Sequence, residues 1–440
     1  MLPDPGTLFS DIDFTRRGTV IAAVSGGGDS LALLFLLHDF LRRLPDHPLL
    51  LAVTVDHGLR VESSEEAEAV GRLAAAHAIP HRILRWEGAK PATGISAAAR
   101  EARLALLAKA ARDAGTDLVL TGHTANDQAE TLAMRRARGE GRGAAGIAPA
   151  TLYDSGIWFV RPLLETRRDA LRVFLRERGI SWFDDPTNRD LRFERARMRM
   201  KLDDASVMQL ADDARKAAVA REQAGKDAAG LIAEAAEKAA PGLLRFPLSE
   251  FVGAEAGVYA FRILLAAAGG TPYLPDEARA SSMLSRVWER GCRANISRAV
   301  LTSRQGQLYF HRELRNLPEI PAADGVIWDG RYRINASMAV RNLKIAPVGR
   351  KEAEDADISG FPAPAGLIRA ALACEPALWN GAECLGFAAA TREVSVRPVV
   401  GPWAHLLPSF DLAPARAAIK LLGGDSLPPA PWHSHKENMR

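Results

Sequence analysis

The sequence predicts an α/β protein: a doubly wound parallel sheet, then a helical middle region and a mixed α+β C-terminal region. Three observations predict it. Through residues 1–202 short apolar runs alternate with segments of helical period. A serine-framed glycine cluster, Ser25-Gly26-Gly27-Gly28-Asp29-Ser30, sits between the first apolar run and the first long helical segment. From about Asp203 the composition turns alanine-rich and charged, and later gives way to short strand-like runs.

TVIAAV (Thr19 to Val24) reads as a buried strand, and SLALLFLLHDFLRRL, from Ser30, as the helix after it. LLLAVTVDH, ending at Asp56-His57, is a second strand. SSEEAEAVGRLAAAH follows as a helix opened by Ser64, with acids in its first turn. HRILRW is a third strand, Ser96 to Ala114 a long helix, and DLVLTGH a fourth strand ending at Gly122-His123. In such sheets ligands bind beyond the carboxyl ends of the strands. The glycine loop, Asp56-His57 and Gly122-His123 all fall at such ends and are expected to share one crevice. Further on, the run from Ala214 to Ala240 is helical in period and ends at Pro241-Gly242. ISRAVLTSRQGQLYFHRE reads as a hairpin, and IWDGRYRI and REVSVRPVVG as short strands. The last residues, from Pro428, read as a disordered tail.

At 440 residues the chain is expected to hold two or three domains. No window is long and apolar enough to span a membrane, and the start has no cleavable leader pattern, so a cytoplasmic protein is expected. Cys292, Cys374 and Cys384 are too few and scattered for a disulfide framework or zinc cluster. Net charge +4 and a pI near 9.0 are only mildly basic. The distribution says more, because arginines gather in MRRARGEGR (from Met134) and RFERARMRMK (from Arg192).

The glycine loop resembles a phosphate cradle but lacks the Gly-Lys-Ser/Thr that closes a P-loop. Its backbone N–H groups and the helix start behind it suit an anion. Asp29 would repel phosphate unless a divalent cation stood between, which implies Mg²⁺. The bland alternative is an ordinary glycine turn; the Ser/Asp/Ser frame argues against it.

Ser25 to Ser30 resembles the SGGxDS loop of the N-type ATP pyrophosphatases, which cleave ATP between its α- and β-phosphates. Further stretches are similar to the tRNA(Ile)-lysidine synthetase family within that superfamily. His123, Asp127, Gln128, Glu130 and Thr131 match its His-acid-Gln-x-Glu-Thr block, with Asn126 where the family usually has the first of two adjacent Asp residues. Arg161-Pro162-Leu163-Leu164 and Asp185-Pro186-Thr187-Asn188 match two more blocks. DLRFERARMR keeps Arg195 and Arg199 of another, with Phe193, Ala196 and Met198 as departures, and Arg100 and Arg103 fall on a matching arginine pair.

The resemblance implies a catalytic domain over residues 1–202, a helical linker and tRNA-recognition domain over 203–320, and a small mixed C-terminal domain over 321–440. It implies ATP and Mg²⁺, L-lysine, and a minor isoleucine tRNA with a CAU anticodon; a homodimer is the assembly considered. ATP is expected at Ser25, Gly26, Gly27, Gly28, Asp29, Ser30, Asp56 and His57, with the metal on Asp29. Catalytic work is expected of Asp29, Asp127, Glu130, His123 and Arg199, their roles not apportioned. RNA contacts are expected of Arg135, Arg136, Arg138, Arg192 and Arg195. The rivals are another PP-loop tRNA-modifying or ammonia-using ATP pyrophosphatase, and a non-catalytic ATP- or RNA-binding relative. A thiolase needs thiols near the site, and residues 1–201 contain no cysteine.

Overall fold

The structure, a computed structural model, describes residues 4–60, 62–139, 141–184, 190, 192–251, 255–290 and 293–433. The Asp185-Pro186-Thr187-Asn188 block and Cys292 lie outside the described residues. The chain divides into two compact units, Met1–Arg221 with Pro428–Arg440, and Glu222–Leu427. No described helix is long and apolar enough to cross a membrane.

The first unit opens with α1 (Pro5–Phe9) and then alternates β1 (Thr19–Ala23), α2 (Gly28–Leu41), β2 (Leu49–Asp56), α3 (Glu62–Ala76), β3 (His81–Arg85), α4 (Ile95–Asp113), β4 (Leu118–Thr121) and α5 (Ala125–Arg136). A hairpin of β5 (Ala150–Tyr153) and β6 (Ile157–Val160) follows, then α6 (Arg168–Glu177) and α7 (Glu194–Lys201). Within this unit the strand order is β5-β6-β4-β1-β2-β3. All pairings are parallel except β5 with β6. Val20, Ile21 and Ala22 in β1 and Leu118, Val119 and Leu120 in β4 are fully buried, as central parallel strands covered on both faces require. The chain runs from β1 outward through β2 to β3, then returns to the other side of β1 as β4. That reversal opens the crevice at the carboxyl ends of β1 and β4.

Two local readings differ from expectation. The third helix begins at Glu62, and Ser63 and Ser64 turn their hydroxyls onto Asp56 at the end of β2. The alanine-rich run forms α8 (Asp204–Ala235) but does not stay helical to Pro241, because Glu237–Ala240 becomes strand β7. At the other end of the chain, Pro428 to His433 pack on the first unit. Ile12 bridges Trp432, Asp13 N–H donates to the Pro431 carbonyl, and Trp432 lies 6.2 Å from Trp158.

In the second unit β7 joins β8 (Leu243–Pro247) and, after α9 (Glu255–Gly269) and α10 (Glu277–Arg290), β9 (Arg293–Ile296), β10 (Ala299–Arg304) and β11 (Gln307–Arg312), in the order β7-β8-β11-β10-β9. The expected hairpin is β10–β11, turned at Gln305-Gly306 with positive φ at both residues. Seven further strands, β12 (Ile320–Pro321), β13 (Val326–Trp328), β14 (Tyr332–Ala336), β15 (Lys344–Pro347), β16 (Pro376–Asn380), β17 (Glu383–Phe387) and β18 (Val394–Pro398), form two small sheets, β12-β15-β16-β17 and β13-β14-β18. Buried Asp329 accepts from Arg298, Arg312 and Arg331, and Arg331 also donates to Glu375, tying these sheets together.

Candidate active site

The turn from β1 into α2 is built for close backbone approach. Gly26 has φ +79°, and a side chain there would stand 3.0 Å from Phe183 and 3.2 Å from Val70. The Ser25 N–H donates to Ser30 Oγ at 3.0 Å, and Ser30 Oγ donates to the Gly27 carbonyl at 2.9 Å, closing the loop on itself. Gly27 is the N-cap of α2 and has no side chain to satisfy the first N–H groups, so they remain for a ligand. Trp182 packs against Gly28, and the Phe183 N–H donates to the Gly26 carbonyl at 3.0 Å, so residues after α6 brace the loop. From β4, Gly122 meets the backbone of Asp29 and Ser30.

Next to the loop three carboxylates face three arginines. Thr124 caps α5 in a capping box with Asp127, whose Oδ2 accepts from the Thr124 N–H at 2.8 Å and hydroxyl at 2.9 Å. Asp127 Oδ1 accepts from Arg195 at 2.8 Å and Arg168 at 3.1 Å. Glu130, one turn on and only 2% exposed, accepts from Arg195 at 2.7 Å, Arg199 at 2.7 Å and Arg168 at 3.4 Å. Asp29 Oδ2 accepts from Arg168 at 2.9 Å. Burial raises the Asp29 pKa above its ordinary value, although Arg168 works the other way.

Arg161 and Arg103 have no carboxylate to answer them among the described residues. Arg161 is buried and bonds only carbonyls and a hydroxyl, Ala148 at 2.9 Å and Thr151 at 3.0 Å among them. Burial, then Arg100 and Arg103, push its pKa down to about 9. Burial, then Arg100 and Arg195, push that of Arg103 down to about 10, and no carboxylate among the described residues offsets this. His123 shares a hydrogen bond with Thr121 at 3.0 Å; burial, then the surrounding Arg161, Arg103, Arg100 and Arg195, push its pKa well below the ordinary value and favour the neutral ring. Buried positive charge of this kind suits an anionic ligand.

Residues 7–205 match the PP-loop domain family. The tRNA(Ile)-lysidine synthase of Mesorhizobium japonicum is 48% identical over 448 residues, covering 98% of this chain and 98% of that one. That of Brucella ovis is 39% identical, covering 95% of this chain and 98% of that one. This chain belongs to the tRNA(Ile)-lysidine synthase family. A solved U34-tRNA thiolase from Methanococcus maripaludis aligns with a TM-score of 0.42 at 16% identity, over 48% of this chain and 77% of that one.

Against the residues that the lysidine synthase resemblance singled out, the structure brings Ser25–Ser30, His123, Asp127, Glu130, Arg195 and Arg199 to one crevice edge. Arg195, expected on RNA, bonds Glu130 and Asp127. Asp56 accepts from Gly58, Ser63 and Ser64; burial pushes its pKa up, and these hydrogen bonds outweigh burial and lower it. His57 lies edge-on to Trp86 with a buried Nδ1 that has no hydrogen-bond partner among the described residues. Arg135 bonds the carbonyls of Gly143 and Gly146, while Arg136, Arg138 and Arg192 pair at the surface with Asp213, Glu194 and Asp190. Asn126 Oδ1 accepts from the Arg168 N–H at 2.9 Å, so this departure from the family holds the start of α6.

Sequence reasoning missed Arg168, Trp182 and Phe183. One signal for Arg168 was present. A cation at the first residue of a helix breaks the dipole rule, and such local conflicts mark functional sites.

Proposed function

We propose that this crevice joins L-lysine to C2 of the wobble cytidine in the CAU anticodon of a minor isoleucine tRNA. Cytidine O2 attacks the α-phosphorus of ATP and pyrophosphate leaves. The lysine ε-amine, having lost its proton, then attacks C2, and AMP departs carrying O2. The observation that carries this reading is the juxtaposition of an amide-lined loop, a pocket of unanswered arginines and an acidic pair on one sheet edge. The first two suit a triphosphate; the third suits an ammonium.

The loop N–H groups from Gly27 onward receive the departing pyrophosphate, and Arg103 with Arg161 answers charge on the triphosphate. Asp29 would hold a magnesium ion, since one carboxylate suffices beside a substrate triphosphate and its Oδ1 is not used by Arg168. When bound, that ion supplies charge neutralisation at the triphosphate. Asp127 and Glu130 receive the lysine ammonium. His123 is a poor base while four arginines surround it. Arrival of the triphosphate offsets them and raises its affinity for a proton. The anticodon base is splayed out of its stack to enter, as single-stranded RNA recognition requires.

Labelled L-lysine, ATP, Mg²⁺ and a minor isoleucine tRNA transcript test the reading. Label enters the transcript with a wobble C and not its wobble-U counterpart, and Asp127→Ala loses at least about 10²-fold in rate. Equal labelling of both transcripts, or full activity of Asp127→Ala, overturns it.

A further inference from the structure

Arg168 stands at the first position of α6, where aligned peptide dipoles disfavour a guanidinium. Its N–H bond to Asn126 pins that helix start beside the first turn of α5. From there its side chain bonds Asp29, Asp127 and Glu130 at once. Around these three carboxylates stand the three guanidinium groups of Arg168, Arg195 and Arg199, so the cluster is neutral with no substrate present. A lysine ammonium arriving at Asp127 and Glu130 therefore meets carboxylates already answered. One guanidinium has to let go.

The bond lengths say which. Arg195 holds the acidic pair at 2.7 and 2.8 Å and Arg199 holds Glu130 at 2.7 Å. Arg168 holds the same pair at 3.1 and 3.4 Å, and its third bond reaches Asp29 on the nucleotide loop. A triphosphate on that loop is a stronger partner for a guanidinium than a shared carboxylate.

We propose that Arg168 is a positioning residue that makes lysine binding conditional on ATP: it covers the Asp127–Glu130 pair while the nucleotide loop is empty and turns to the triphosphate when ATP arrives. The inference rests on the assignment of Asp29 to the ATP side and of Asp127 and Glu130 to lysine. Removing the guanidinium leaves the three carboxylates one positive charge short and takes one contact off each acid of the pair, which opens it to an ammonium at any time.

Equilibrium dialysis of labelled L-lysine against the full chain tests this, with and without Mg²⁺ and the non-cleavable α,β-methylene analogue of ATP. Wild type binds lysine at least tenfold more tightly with the analogue. Arg168→Gln binds lysine at least fivefold more tightly than wild type without the analogue, and gains less than twofold from it. Arg168→Lys keeps the charge and restores the dependence. Asn126→Ala, which removes only the backbone anchor, shifts binding in the direction of Arg168→Gln by a smaller factor and carries the test if that variant fails to fold. A wild type indifferent to the analogue, or an Arg168→Gln protein that keeps the tenfold gain, overturns the proposal. Asp127→Asn separates the two levels. If it leaves lysine binding intact, the lysine assignment falls and the inference with it; if it abolishes binding while Arg168→Gln behaves as wild type, the inference alone falls.

Discussion

A methyl group at Gly122 would stand 2.8 Å from the Asp29 carbonyl oxygen and 3.1 Å from the Ser30 Cα. Both neighbours are backbone, so the start of α2 has to move. Gly122→Ala is expected to cost about 1–3 kcal/mol of stability in urea unfolding. Shifting the loop by even about 1 Å is also expected to slow the ATP-dependent step about 10²-fold. His123 supplies a second test at this scale. Its folded pKa lies below its unfolded value, so as pH falls below about 6.5 the unfolded chain takes up a proton that the folded one refuses. Stability therefore falls with pH, by up to about 1.4 kcal/mol per unit for this one group. His38, His57 and His81 shift in the same direction, so wild type and His123→Gln both lose stability between pH 7.5 and 5.5. The variant is expected to lose less, and equal losses in urea midpoints would refute the assignment.

Helices decide where the charges meet. Arg195 and Arg199 are four residues apart, which places them on one face of α7, and both reach Glu130 on α5. That spacing was legible in RFERARMRMK, so assigning one arginine to RNA and the other to catalysis separated a pair that helical period keeps together. The β-α alternation, the glycine loop and the hairpin at Gln305-Gly306 were legible because each is written in local period or turn chemistry. β7 was not: Glu237–Ala240 becomes a strand by pairing with β8, a tertiary choice that overrides an alanine-rich pattern. Arg168 was obscured in the same way, since its partners lie 38 to 139 residues away. Arg135 yields a prediction here. Its bonds to the Gly143 and Gly146 carbonyls, both 2.7 Å, clamp the turn after α5. Arg135→Ala is expected to cost about 1–3 kcal/mol and to speed amide hydrogen exchange over residues 141–147. Unchanged exchange there would show that the clamp does not hold the turn.

Over the whole chain the net charge of +4 understates what an RNA meets, because the basic residues are not spread evenly. Arg195 and Arg199 are tied to Asp127 and Glu130, and Arg135 is spent on carbonyls. The surface arginines Arg136, Arg138 and Arg192 hold partly exposed carboxylates, pairs that add little to stability and are weakened further by salt. A phosphate can displace such a carboxylate at little cost and releases counterions as it does so. Arg192, with its side chain 87% exposed, is the most accessible of the three. Plotting log K for tRNA binding against log salt concentration distinguishes the two kinds of arginine. Arg192→Ala is expected to reduce the slope by about 0.7–0.9, the contribution of one phosphate contact, and to weaken binding of cognate and non-cognate tRNA alike. Arg135→Ala is expected to leave the slope unchanged, because its guanidinium is held by the Gly143 and Gly146 carbonyls. If the two variants change the slope equally, RNA contact is not confined to the exposed arginines, and the crevice edge itself has to be counted within the RNA footprint.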